Sequence, residues 1–157
     1  MKQPPPYEIR LERGDFNYWE LEPLYRQHYG EMQARLAESG VAIGDYAPRL
    51  NLYFEAWSQG WLLNFVARLD GKPVGYSNIY LTNDMHNGEL IAKEDTIYVT
   101  PEHRNGLGRR LTKAVLAELN GRGVRRALVT TQTDLRSGLL CKRLGFREVA
   151  TQLMYIF

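Results

Sequence analysis

An α/β or α+β domain built on a mixed sheet is predicted from three features of the chain. Runs rich in β-branched and aromatic residues recur at 61–69, 74–81 and 89–99, the composition of pleated strands. Asp70-Gly71 falls between the first two and is a strong hairpin signal, so those strands are antiparallel. After residue 99 the period changes. Leu107, Leu111, Ala114, Val115 and Leu119 share one helix face, and a short apolar strand follows at 127–132. A strand, a helix and a strand in that order give a parallel pair with a right-handed crossover.

Taken in order, residues 7–11 read as a first strand broken at Gly14 and Asp15. Asp15 is the expected N-cap of a helix running to about Glu38. Its apolar face carries Leu21, Leu24, Tyr25, His28, Met32 and Leu36, and Ser39-Gly40 closes it. Asp45 is the expected cap of a second helix, with Pro48 tolerated in its first turn. Leu50, Tyr53, Phe54 and Trp57 form its apolar face, and Gly60 stops it. The three strands follow, with a polar loop at 82–88 before the third. Then come the helix over 107–120, a turn between Gly121 and Gly123, and the strand at 127–132. Asp134 is expected to cap a last helix through Leu139, Leu140 and Leu144, closed at Gly145. Residues 146–157 read as a final strand. The predicted order is β-α-α-β-β-β-α-β-α-β.

With 157 residues the chain reads as one domain, 1–157, with 1–6 a short proline-rich extended leader. Its 44% hydrophobic and 24% charged residues are those of an ordinary globular protein. A net charge of +2 is too small to argue for nucleic acid. One cysteine, Cys141, excludes an internal disulfide and fits a reducing, cytoplasmic setting. No apolar run reaches membrane-spanning length, and the first residues lack the apolar core of a secretory signal. Three scattered histidines and one cysteine give no metal-ligand spacing, so no metal is expected.

The chemistry concentrates at residues 94–119. Pro101 ends the strand, because it cannot donate to a ladder. Asn105-Gly106 tolerates left-handed backbone, and the helix then starts at Leu107. Backbone N–H groups of the loop thus meet a positive helix end, with Arg104, Arg109 and Arg110 beside it. Positive side chains at that end oppose the helix dipole unless an anion arrives, and phosphate is the natural one.

A strand ending V-T-P-E-H-R, a glycine loop and a helix, followed about 35 residues later by C-K-R-L-G-F, resembles the GNAT acyltransferase superfamily. The resemblance is most specific over residues 94–146, and the element order extends it along nearly the whole chain. It implies a GNAT-like fold and acetyl-CoA as co-substrate. The loop would bind the pyrophosphate, the preceding strand would pair with the pantetheine arm, and the two parallel strands would splay to admit the thioester. Gly106 and Gly108 fit the family's two glycines. Ile97 and Val99 fit the strand facing pantetheine and the thioester carbonyl. The implied coenzyme contacts are Ile97, Tyr98 and Val99, then Arg104, Asn105, Gly106, Leu107, Gly108, Arg109 and Arg110, with Asp134 opening the last helix.

Three departures stand out. The loop is one residue tighter than R-G-x-G-x-G, and His103 sits where an Arg or Gln is usual, with Arg104 next to it. Asp134 replaces a frequent asparagine. Cys141 stands where the family often has the tyrosine that protonates the leaving thiolate.

The implied reaction is direct attack of a primary amine on a thioester in a ternary complex. An ammonium with a pKa near 10.4 must first lose a proton, so a base is useful. Backbone N–H groups of the splayed strand can polarise the carbonyl. Glu94 and Asp95 lie on opposite faces of the strand. Glu94 is favoured as base, because strict alternation puts it on one face with Thr96 and Tyr98. Cys141 is a candidate acid, weighed against a small buried hydrophobe; Tyr98 and Tyr155 are substitutes. His28 reads as a core histidine, His86 as exposed and His103 as loop packing. Tyr25, Tyr29, Tyr46 and Tyr53 are placed to line the acceptor site, since the first two helices wall it in this superfamily.

The expected partner is a small-molecule or peptide amine, and a homodimer is allowed. A non-catalytic acyl-CoA-binding module is the rival from another class, supported by the missing tyrosine. A nucleotide enzyme is the second rival, but G-x-x-x-x-G-K-[ST] and an early G-x-G-x-x-G unit are both lacking.

Overall fold

The structure is a computed structural model and describes residues 6–131 and 135–157. Five strands form one sheet in the order β1-β2-β3-β4-β5: β1 Glu8–Glu12, β2 Leu62–Leu69, β3 Lys72–Asn83, β4 Leu90–Val99 and β5 Arg126–Leu128. The first four pair antiparallel, and β5 runs parallel to β4, as its helical crossover requires. Helices α1 Gly14–Glu38 and α2 Leu50–Gln59 cover one face, and α3 Leu107–Gly121 covers the other. Helix α4, Leu135–Arg143, follows β5.

Two cores result. On the α1–α2 side, Tyr18, Leu21, Tyr25, Ala56 and Trp57 pack on Leu62, Val66, Tyr76 and Tyr98. On the α3 side, Leu107, Leu111, Val115 and Leu119 pack on Phe65, Ala67, Ile79, Ala92 and Val99. The four α3 residues are the apolar stripe that periodicity picks out. The β2–β3 hairpin turns on Asp70 and Gly71, both at positive φ (49° and 79°), the backbone expected of that dipeptide.

Several boundaries differ from expectation. Asp15 does not cap α1. The helix begins at Gly14, the Arg13 carbonyl accepts from the Phe16 and Asn17 N–H groups, and Asp15 pairs with the Arg13 guanidinium at 2.6 Å. Nor does Asp45 open α2. A residue before proline is pushed out of the α region, residues 41–49 stay irregular, and the helix starts at Leu50. Strand β5 is only three residues long. Asp134, its expected cap of α4 and its expected coenzyme contact lie outside the described residues. Residues 146–157 form no strand. The three-residue β5 leaves little edge for another strand, and Val149, Leu153, Tyr155, Ile156 and Phe157 are exposed.

Candidate active site

Strands β4 and β5 pair only at Ile91–Arg126, Ala92–Ala127 and Lys93–Leu128. Beyond Lys93 they separate, because β5 ends while β4 continues six residues to Val99 along β3. The fork opens a cleft of about 710 Å³ running from Glu94 to the start of α3. Ile97, Tyr98 and Val99 form one wall, with Gly106, Gly108 and Arg109 at one end. Thr130, Cys141 and Phe146 line the far side. The Thr130 N–H donates to Glu94 Oε2 at 3.2 Å, so the carboxyl sits in the crotch of the fork.

Gly106, at φ 102°, precedes α3 and supplies no side-chain cap. The first N–H groups of the helix are therefore without the usual hydroxyl or carboxylate partner. Arg109 projects into the cleft beside them and makes no ion pair among the described residues. Its two arginine neighbours behave differently. Arg110 donates to the Tyr7 carbonyl at 3.1 Å and lies over the Tyr7 ring, away from the cleft. Arg104 lines the cleft but donates to both Glu31 oxygens (2.9 and 2.7 Å) and to the Val99 carbonyl (2.9 Å). Asn105 accepts from Tyr7 at the edge of hydrogen-bond range (3.5 Å), and the Leu107 side chain is core. These two contribute backbone at most. Arg136, at the start of α4, also lines the cleft and was not foreseen.

The decisive feature of β4 is a bulge. Thr96 pairs with Asn78 and Glu94 with Ile79, which leaves Asp95 as the extra residue. Alternation breaks there. Glu94, opposite Ile79, faces the α3 side, whereas Asp95 and Thr96 face α1 and α2. The reason for favouring Glu94, a face shared with Thr96 and Tyr98, is thereby overturned: one inserted residue moves it to the other side.

On the α1–α2 side lies a second cavity, about 110 Å³ and walled by aromatic rings. Tyr18, Tyr25, Tyr29, Tyr46, Tyr53, Trp57 and Tyr76 line it, with Asp95 and Thr96 where it adjoins the cleft. The four tyrosines expected at the acceptor site are all here; Tyr18 and Tyr76 are additions. The Tyr53 hydroxyl donates to Asp95 Oδ2 at 3.1 Å. Tyr25 Oη and Thr96 Oγ1 are buried without a hydrogen-bond partner.

Burial pushes the Glu94 carboxyl up to about 7, with the Thr130 N–H opposing and the Asp95 charge adding. Burial also raises Asp95, and the Tyr53 bond partly offsets it. Burial raises the Cys141 thiol too, helped by the Glu94 charge, so the thiol stays protonated at neutral pH. Cys141 is half-buried on the cleft wall rather than enclosed among leucines; Leu139 beside it is exposed.

The Tyr98 hydroxyl donates to Glu31 Oε1 at 2.6 Å, and burial raises its pKa first, Glu31 second. Glu31, which links Tyr98 to Arg104, carried no signal in the sequence beyond being one polar residue on a long helix. Tyr155 is exposed and lines neither cavity. His28, expected in the core, is half-buried and lines both cavities. It stacks on Tyr98 at 4.9 Å, bonds the Tyr76 hydroxyl at 2.7 Å, and burial drops its pKa to about 4, so it is neutral. His103 packs on Tyr7, its Nδ1 2.9 Å from the hydroxyl, and His86 is exposed. Among the described residues no group of three or more acidic, histidine or cysteine side chains could hold a metal, and no helix is long and apolar enough to cross a membrane.

The site thus combines a forked parallel pair, an uncapped helix end and a cleft leading to buried carboxylates. The model of the acetyltransferase (GNAT) family matches residues 17–146, and the chain belongs to that family. That family is one of acetyltransferases, enzymes that take their acetyl group from acetyl-CoA. No curated protein matches. Among solved structures, a mutant of the BH1408 protein from Bacillus halodurans is similar at 18% identity and TM-score 0.78, over 96% of this chain and 99% of that one. The aminoglycoside N-acetyltransferase AAC(6')-Iy, in complex with CoA, is 21% identical with TM-score 0.70, over 96% and 98%. The ribosomal-protein-alanine N-acetyltransferase from Brucella melitensis biovar Abortus 2308 is 16% identical with TM-score 0.71, over 96% and 99%.

Proposed function

We propose that this enzyme transfers an acetyl group from acetyl-CoA to a primary amine by direct attack, with Asp95 as the base. The observation that carries this reading is that the cleft and the aromatic cavity meet between the bulge, at Asp95 and Thr96, and α1, at His28 and Met32. The amine enters from the aromatic side and gives its proton to Asp95. Bound coenzyme would supply an activated acetyl group, with its diphosphate at the α3 N-terminus beside Arg109 and its arm along Ile97 to Val99. On the cleft side, the Cys141 thiol and the Glu94 carboxyl hold protons near neutral pH and face the departing sulfur. Either can replace the absent tyrosine, while Tyr98 is committed to Glu31.

The test is an acceptor panel read by mass for the gain of one acetyl group, with two variants compared. Asp95→Asn should lower kcat by about a hundredfold or more, the usual scale for losing a general base, with the Kd for acetyl-CoA unchanged. Glu94→Gln should have the smaller effect. The reverse ranking would return the base to Glu94. Coenzyme binding without transfer to any amine would favour a non-catalytic module.

A further inference from the structure

We infer that the acceptor is a small aliphatic monoamine, held by its single ammonium at Asp95 with its carbons against aromatic rings. This rests on the acetyltransferase reading and narrows it to a substrate class. The cavity is about 110 Å³. A cavity of about 150 Å³ accommodates benzene, so the space here suits about four to five heavy atoms. Its walls are tyrosine and tryptophan faces, apolar surface on which methylenes pack.

Charge is supplied once. Asp95 is the carboxylate lining this cavity, and among the described residues no lysine or arginine lines it. His28, on the wall, is neutral. An ammonium has three N–H donors, and Asp95 is the charged acceptor that the cavity offers them. A second ammonium on the same short arm would lie against aromatic carbon with no carboxylate, and an uncompensated buried charge is strongly disfavoured.

Butylamine and 1,3-diaminopropane form the sharpest pair, since they differ only by a terminal methyl against an ammonium. Titration calorimetry on the full chain with CoA present should give butylamine a Kd at least tenfold lower than the diamine. Asp95→Asn should weaken butylamine at least tenfold and leave CoA binding intact. Acetyl transfer should rank the two amines in the same order. Equal or tighter binding of the diamine, no binding of butylamine, or an unchanged Kd in Asp95→Asn would overturn the inference. Its fate is separable from that of the enzymatic reading. Acetylation of diamines or aminoglycosides in preference to butylamine removes the substrate class and keeps the transferase. Tight butylamine binding without any transfer does the opposite.

Discussion

Asp95 and Glu94 adjoin in sequence but face different cavities, and that separation sets what each can do. Glu94 carries a direct stability consequence. Its carboxyl is raised from an ordinary 4.5 to about 7 on folding, so the folded state holds a proton that the unfolded state has lost. Stability therefore falls as pH rises from about 4.5 to about 7 and stays lowered above that, by up to about 3 kcal/mol. Asp95, also raised, acts in the same sense. Glu94→Gln should remove most of this slope: its Tm should exceed that of the parent at pH 8 and approach it at pH 5, in a series of melts. Equal differences at both pH values would contradict the assignment. Cys141→Ser tests the cleft-side proton. Serine lacks a comparably acidic proton, so kcat should fall modestly and the alkaline limb of the rate profile should move. An unaltered profile would leave the proton to Glu94.

Two elements carry the site, and each has a sensitive position. Helix α1 can lie against α2 only because residue 14 lacks a side chain. A Cβ there would come within 2.3 Å of the Trp57 indole. Gly14→Ala should destabilise by about 1–3 kcal/mol, the usual range for overpacking, measured by urea unfolding. Because Trp57 lines the aromatic cavity, the amine KM should rise while the acetyl-CoA Kd holds. Helix α3 presents its start and Arg109 to the cleft, so Arg109→Glu should weaken CoA at least tenfold, more at low salt than at high salt. Arg104→Glu acts through a different partner, because Arg104 is already bonded to Glu31. Its effect should appear first in stability. A matching loss of CoA affinity without destabilisation would show that Arg104 reaches the phosphate after all.

At the scale of the whole molecule, β4 is the wall that two spaces share: the aromatic cavity lies on the α1–α2 side, and the cleft follows the fork from α1 residues such as Glu31 and Arg35 to the start of α3. Binding in the cleft should stabilise the fold by mass action. Saturating CoA at about a hundred times its Kd should add about 2.7 kcal/mol, visible as a raised Tm that Arg109→Glu diminishes. A Tm indifferent to CoA would argue against a folded-state site.

Much of this plan was legible in the chain. The α3 stripe from Leu107 to Leu119, the Asp70-Gly71 hairpin and the glycine turn after Pro101 follow from local periodicity and backbone preference. Those signals lie within a few residues of what they determine. The face of Glu94 was not legible, because alternation assumes an unbroken ladder. The bulge at Asp95 is defined only by which β3 residues lie opposite. The Arg104–Glu31 pair joins residues 73 apart, and Tyr53 meets Asp95 across 42. A final strand at 146–157 was expected from its apolar content, but apolar content does not supply an edge to pair with. The sequence by itself determined the element order as far as the last helix and the glycine turn after Pro101, since both are local. Tertiary structure alone decided which side of the sheet each carboxylate faces and which arginine is paired with an acid, because both depend on partners brought together from distant parts of the chain.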